Sequence, residues 1–234
     1  MTKIAIFVEG QTERKFAKKL VGQRYGHLTF RITEIERRGK NTHMSGAELR
    51  ESPGLDCSFL LVEVPSRDKI ISYVIDNASN MVLTQGFNLL LGLQDLFPNK
   101  RSDKVRIINS IRTSLNRSPV YDKISVVLAI METEAWFLCD CCMFERIDVR
   151  LTSTFIQSHL GLDLVNNDPE LAYNHPSKTL DDILKLVQRR YRKRSSEIDL
   201  VVRNIDTTYL SSCTGKIDSF FNFIRQLDSC DPSS

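Results

Sequence analysis

The chain has 234 residues, 41% hydrophobic and 26% charged, a length and balance that exclude disordered and fibrous classes and allow a sizeable buried core. Its formal charge of +3 is too small to make the whole molecule a polyanion binder. No apolar stretch approaches the roughly 20 residues that a membrane helix needs, and the run 4–8 behind a single Lys is too brief for a signal peptide, so a soluble, cytoplasmic protein with no membrane partner is expected.

Residues 3–8 predict a buried strand that stops at Glu9-Gly10. A helix follows, with Thr12 as its cap and Phe16, Ala17 and Leu20 at helical spacing. Residues 29–36 alternate like a second strand, and 37–53 read as a polar loop. Residues 59–64 predict a strand and Ile70, Ile71, Val74, Ile75 and Met81 a helix. The pattern then repeats: strand 87–93, helix through Val105, Ile108 and Ile111, strand 125–131. Strands alternating with helices imply crossovers and a mostly parallel sheet. Beyond Trp136 the strand signals fade, Leu180, Ile183, Leu184 and Val187 mark an amphipathic helix, and 217–227 predict a last one. The expected organisation is an α/β core over 1–148 and a helical region over 149–234, with a soft boundary around 148–152.

Six cysteines without a secretory signal are expected to stay reduced. Cys139 and Cys142 form a CxxC that lacks a second ligand pair, so Cys139, Cys141 and Cys142 are not expected to bind zinc.

Three of these strands run into acids: Val8 into Glu9, Leu93-Gln94 into Asp95, and Met131 into Glu132 and Glu134. In an open parallel sheet the carboxyl ends of the strands form the ligand crevice, so Glu9, Asp95 and Glu134 are expected to converge in one surface cleft. Clustered carboxylates repel one another and draw in a hard divalent cation. Mg2+ suits such a set because it takes oxygen ligands and bridges to phosphate oxygens. Glu63 and Asp68 flank the strand at 59–64 as lower-ranked rivals. Gly10, Thr12 and Lys15, at the start of the first helix, are candidates for phosphate contact. Arg189, Arg190, Arg192, Lys193 and Arg194 fall within six positions, a solvated face or a nucleic-acid contact. Trp136 is expected to pack rather than stack on a base, because Phe137 and Leu138 continue its apolar run.

The segment Ile4-Ala5-Ile6-Phe7-Val8-Glu9-Gly10-Gln11-Thr12-Glu13 resembles the opening motif of TOPRIM domains, in which a hydrophobic strand delivers a Glu followed by Gly. The form Glu-Gly-x-Thr-Glu is similar to a family of TOPRIM-like bacterial domains often encoded beside ABC-type or SMC-like ATPases in anti-phage defence loci. Gly92-Leu93-Gln94-Asp95-Leu96-Phe97-Pro98 resembles that family's middle strand, and Glu132-Thr133-Glu134-Ala135-Trp136 its Glu-x-Glu-Ala-Trp motif. Pro176-Ser177-Lys178 and the later Tyr191-Arg192-Lys193 are similar to its C-terminal region. One departure stands out: TOPRIM domains carry Asp-x-Asp after the middle strand, whereas Asp95 is followed by Leu96-Phe97. A second acid would come from Glu132 or Glu134.

The resemblance implies a TOPRIM-like nuclease, an effector cleaving RNA (tRNA included) or DNA under the control of an ATPase partner. Glu9, Asp95 and Glu134 would be catalytic, and the same three with Glu132 would hold Mg2+ or Mn2+. Arg190, Arg192, Lys193 and Arg194 would contact nucleic acid without reading its sequence. The alternative is a non-catalytic TOPRIM-like subunit that binds and regulates the ATPase, with the missing second Asp as its support. A homo-oligomer is compatible with either.

Overall fold

The computed structural model describes residues 1–38, 41–49, 56–64, 69–213 and 215–229. The first apolar run becomes β1 (Thr2–Val8), whose residues 4–8 are each at most 1% exposed. Burial on both faces explains why that run is continuous rather than alternating. β1 lies between β4 (Cys57–Glu63) and β5 (Leu89–Asp95), parallel to both. With β2 (Phe30–Arg38), β3 (Asn41–Leu49) and β6 (Ile124–Ala129), the described residues form a six-stranded sheet in the order β3-β2-β4-β1-β5-β6. Five strands run parallel, and β3 is antiparallel on β2. The expected α/β class, a mostly parallel sheet flanked by helices with a helical C-terminal region, is what the chain adopts, consistent with a TOPRIM-like arrangement.

β3 corrects the loop expected over 37–53. Its sequence, Asn-Thr-His-Met-Ser-Gly-Ala-Glu-Leu, has little apolar alternation to announce a strand. The ladder to β2 organises it instead, and such pairing with a distant segment leaves no local signal. Residues 39, 40 and 50–53 of that expected loop, and Asp68, lie outside the described residues.

The chain divides into two compact units. The first comprises residues 1–94, 102–128 and 222–234, and the second residues 95–101 and 129–221. A boundary near 148 is therefore not where the units part. The Glu-x-Glu-Ala-Trp segment belongs with the helices that follow it, because α4 (Glu134–Cys139) packs on α7 (Pro169–Ala172) and α8 (Pro176–Lys185).

In the first unit, α1 (Gln11–Arg24) buries Phe16, Ala17, Leu20 and Val21. Its N-cap is Gly10, with no side-chain cap, so Thr12 does not cap it but lies buried within the first turn. Gly10 is in extended backbone that any residue adopts, which removes the conformational argument for a glycine there. Ala5 and Phe7 of β1, Val62 and Val64 at β4 and Leu90 of β5 share a core cluster with Ile70, Val74 and Ala78 of α2 (Ile70–Ser79). Gly92 has a steric reason: a Cβ there would come within 3.1 Å of both Ile70 Cγ2 and Val126 Cγ2. α3 (Lys104–Leu115) completes the last crossover. At the chain's end, Asp228 accepts a 2.6 Å hydrogen bond from Arg24 Nε.

The second unit is helical. Besides α4, α7 and α8 it contains α5 (Met143–Ile147), α6 (Ser153–Leu160), α9 (Ser195–Asn204) and α10 (Thr207–Ser212), α5 packing on α9. Trp136 is fully buried. Its Nε1–H donates to Glu170 Oε1 at 3.1 Å and Ser219 Oγ at 2.8 Å, and its ring meets Phe220 edge-on with centroids 5.4 Å apart. It is a packing residue. Among the described residues no helix is long and apolar enough to cross a membrane.

Candidate metal centre

The parallel registers put strand ends at one edge. Val8 is level with Leu93 and with Glu63, so the carboxyl ends of β1, β4 and β5 lie at one edge of the sheet. β6 lies beside β5 and leads to Glu132 and Glu134.

In the second unit, the turn after β6 organises the acids. Met131 takes a left-handed φ of 64°, and Phe97 N–H donates to Met131 O at 2.7 Å. The chain then enters α4 with Glu134 in its first turn. Asp95 Oδ1 accepts both the N–H and the hydroxyl of Thr133, each at 2.9 Å. Asp95 and Glu134 thereby offer carboxylate oxygens within 4.8 Å of each other. Both are buried, at 4% and 0% exposure, so the expected surface cleft is instead a buried pair. Burial out of water is costly for carboxylates unless protons, donors or cations compensate.

Each acid has its own set of compensating groups. Glu134 Oε1 accepts a 2.9 Å hydrogen bond from the Tyr191 hydroxyl and pairs with Lys193 Nζ at 2.9 Å. Glu134 Oε2 is buried and accepts no hydrogen bond. Glu132 turns toward α8, where Ser177 donates both its N–H and its hydroxyl at 2.8 Å, and Lys193 Nζ lies 3.5 Å from Glu132 Oε1. Glu132 is thus tied to Ser177 and Lys193, while Glu134 and Asp95 form the closer pair.

The expected basic face between α8 and α9 is a loop. Asp181 holds one side of it, accepting from Arg190 Nε at 3.0 Å and from Tyr191 N–H at 2.7 Å. Burial pushes the Asp181 carboxyl up, but the hydrogen bonds from Arg190, Tyr191 and Lys185 outweigh it and hold the group well below the usual carboxylate range. Glu197 Oε2 holds the other side, accepting from Arg192 N–H at 2.6 Å and Arg194 N–H at 3.2 Å. Between these clamps Lys193 adopts a left-handed φ of 56° and sends its ammonium to the acids. Of the cations expected to contact nucleic acid, Arg190 is engaged by Asp181 and Lys193 by Glu132 and Glu134. The side chains of Arg192 and Arg194 are exposed.

In the first unit, Glu9 is half-buried directly after β1, and Lys15 is half-buried on the second turn of α1. Glu63 belongs to a separate network in which buried Arg14 pairs with Glu34 and with Glu63, and Lys18 Nζ reaches Glu34 Oε1 at 2.8 Å. Its charge is matched by Arg14. Glu13 was passed over by sequence reasoning. It is 5% exposed. The signal was present, since Glu13 shares the helical spacing of Phe16, Ala17 and Leu20, and a carboxylate in an apolar stripe calls for a partner.

Comparison of the chain with protein-family models, curated proteins and solved structures gave no match.

Proposed function

We propose that the chain is a metal-dependent phosphodiesterase of TOPRIM-like type, a nuclease acting on RNA, tRNA included, or on DNA. The observation that supports it best is Glu134 Oε2, a buried carboxylate oxygen without a hydrogen bond, with Asp95 within 4.8 Å. Such an oxygen is suited to a cation, and an all-carboxylate set suits Mg2+ or Mn2+. In this reading Asp95 and Glu134 hold the ion, with Glu132 as the adjoining acid. The ion, when bound, supplies charge stabilisation for a phosphodiester under attack. The protein's own groups do the positioning: Thr133 orients Asp95, Tyr191 orients Glu134 and Ser177 fixes Glu132. Arg192 and Arg194 offer cations for a phosphate backbone.

Control by an ABC-type or SMC-like ATPase, and a role in anti-phage defence, enter this proposal through the sequence resemblance alone. Titration of the purified protein with Mn2+, followed by calorimetry, tests it. The wild type is expected to bind the ion and Glu134→Gln to lose it. A wild type that binds no divalent metal ends the metal-dependent reading.

One observation favours the second reading, a non-catalytic subunit that regulates an ATPase. Lys193 already neutralises Glu134 and Glu132 at 2.9 and 3.5 Å, so these acids have a structural partner without any metal.

A further inference from the structure

We infer that Lys193 stands in for a cation at Glu134, so that a divalent ion bound by Glu134 displaces its ammonium group into solvent. The inference rests on the metal reading above and adds a coupling between metal loading and phosphate contact. Its starting point is the pairing of one ammonium with two buried carboxylates, at 2.9 Å from Glu134 Oε1 and 3.5 Å from Glu132 Oε1.

The surrounding loop is built to present that side chain. A left-handed backbone is unfavourable for a non-glycine residue and persists where the surroundings enforce it. Here the enforcement is visible. Asp181 anchors Arg190 and the Tyr191 N–H, Glu197 anchors the Arg192 and Arg194 N–H groups, and Lys193 is held between them. The backbone is fixed while the side chain keeps an exit: Lys193 is 33% exposed, whereas the Glu134 side chain is fully buried. A lysine has four rotatable carbons and a strongly hydrated head, so it can leave the acids without the loop moving.

Two consequences follow from charge alone. Without metal, Lys193 offsets the repulsion of the buried carboxylates and keeps the unit folded. With metal on Glu134, two cations on one carboxylate repel each other, and the displaced Lys193 joins Arg192 and Arg194 at the surface as a further cation for a nucleic-acid phosphate. A ligand shifts an equilibrium only by its differential affinity for the two states, so the competing lysine lowers apparent metal affinity.

The test compares Mn2+ binding to wild type and to Lys193→Met, which keeps an unbranched apolar stem and loses the charge. Removing an opposing cation within salt-bridge distance of a ligand is worth about tenfold or more in affinity for another cation, so K193M is expected to bind Mn2+ about tenfold more tightly. Its unfolding temperature should also rise more on Mn2+ addition than that of the wild type. If loss of the charge prevents folding without metal, Lys193→Gln, whose amide still donates to Glu134, is used in the same comparison. Wild-type binding with equal or weaker affinity in both variants overturns the displacement while leaving the metal reading intact. Absence of binding in every protein overturns the metal reading and this inference with it.

Discussion

Asp95 accepts both hydrogen bonds that Thr133 can donate, from its backbone N–H and from its hydroxyl, at 2.9 Å each. The contact joins the end of β5 to the turn after β6 and fixes which Asp95 oxygen faces elsewhere. Hydrogen bonds to charged groups contribute about 1.5–3 kcal/mol, and groups that orient a metal ligand typically change metal affinity about 10- to 100-fold. Thr133→Val is therefore expected to lower unfolding free energy in urea by about 1.5–3 kcal/mol and to weaken Mn2+ binding, with Thr133→Ser restoring most of both. Normal Mn2+ affinity in Thr133→Val would show that Asp95 is not oriented by this contact.

The side chains of Arg192 and Arg194 are exposed on the loop, whereas Arg190 is bound to Asp181. Arg192→Ala with Arg194→Ala is expected to weaken nucleic-acid binding at low salt without lowering the unfolding temperature. Each lost phosphate contact should reduce the salt slope by roughly 0.7–0.9. An unchanged slope across a salt series would mean that the loop meets no phosphate.

Asp181 sets an acid limit on the loop. Its folded pKa is depressed, so its contribution to stability is present above the ordinary carboxylate value near 3.8 and is lost as pH falls below that value. Asp181→Asn should thus be less stable than wild type near neutral pH, and the gap should close as the pH drops below about 4. Thermal unfolding across pH measures it. A gap that widens in acid would contradict the clamp.

The strands that carry the sheet were legible because they are buried on both faces and so are written as unbroken apolar runs, as in residues 4–8 and 89–93. β3 was not, since its residues are placed by pairing with β2 and carry no apolar period. Among the acids, Asp95 and Glu134 could be named from their places after strands, because chain order alone brings them to one sheet edge. Glu13 carries a local signal of its own, a carboxylate within the apolar stripe of α1 that is buried in the fold. Lys193 was unreadable as an internal partner. A basic run looks the same whether it meets solvent or an acid, and the left-handed turn that aims it inward depends on Asp181 and Glu197 closing the loop from either side.

The measurement that bears most directly on the proposed activity is cleavage of mixed RNA and DNA substrates by the purified chain, with and without Mg2+, beside Glu134→Gln. Glutamine keeps the size of the buried side chain and removes the charge a cation needs. The account predicts cleavage that requires Mg2+, stops on chelation and falls at least about 100-fold in Glu134→Gln, a loss of the size that removing one charge-stabilising group produces. Cleavage that continues in the chelator, or that Glu134→Gln carries out at the wild-type rate, would contradict it.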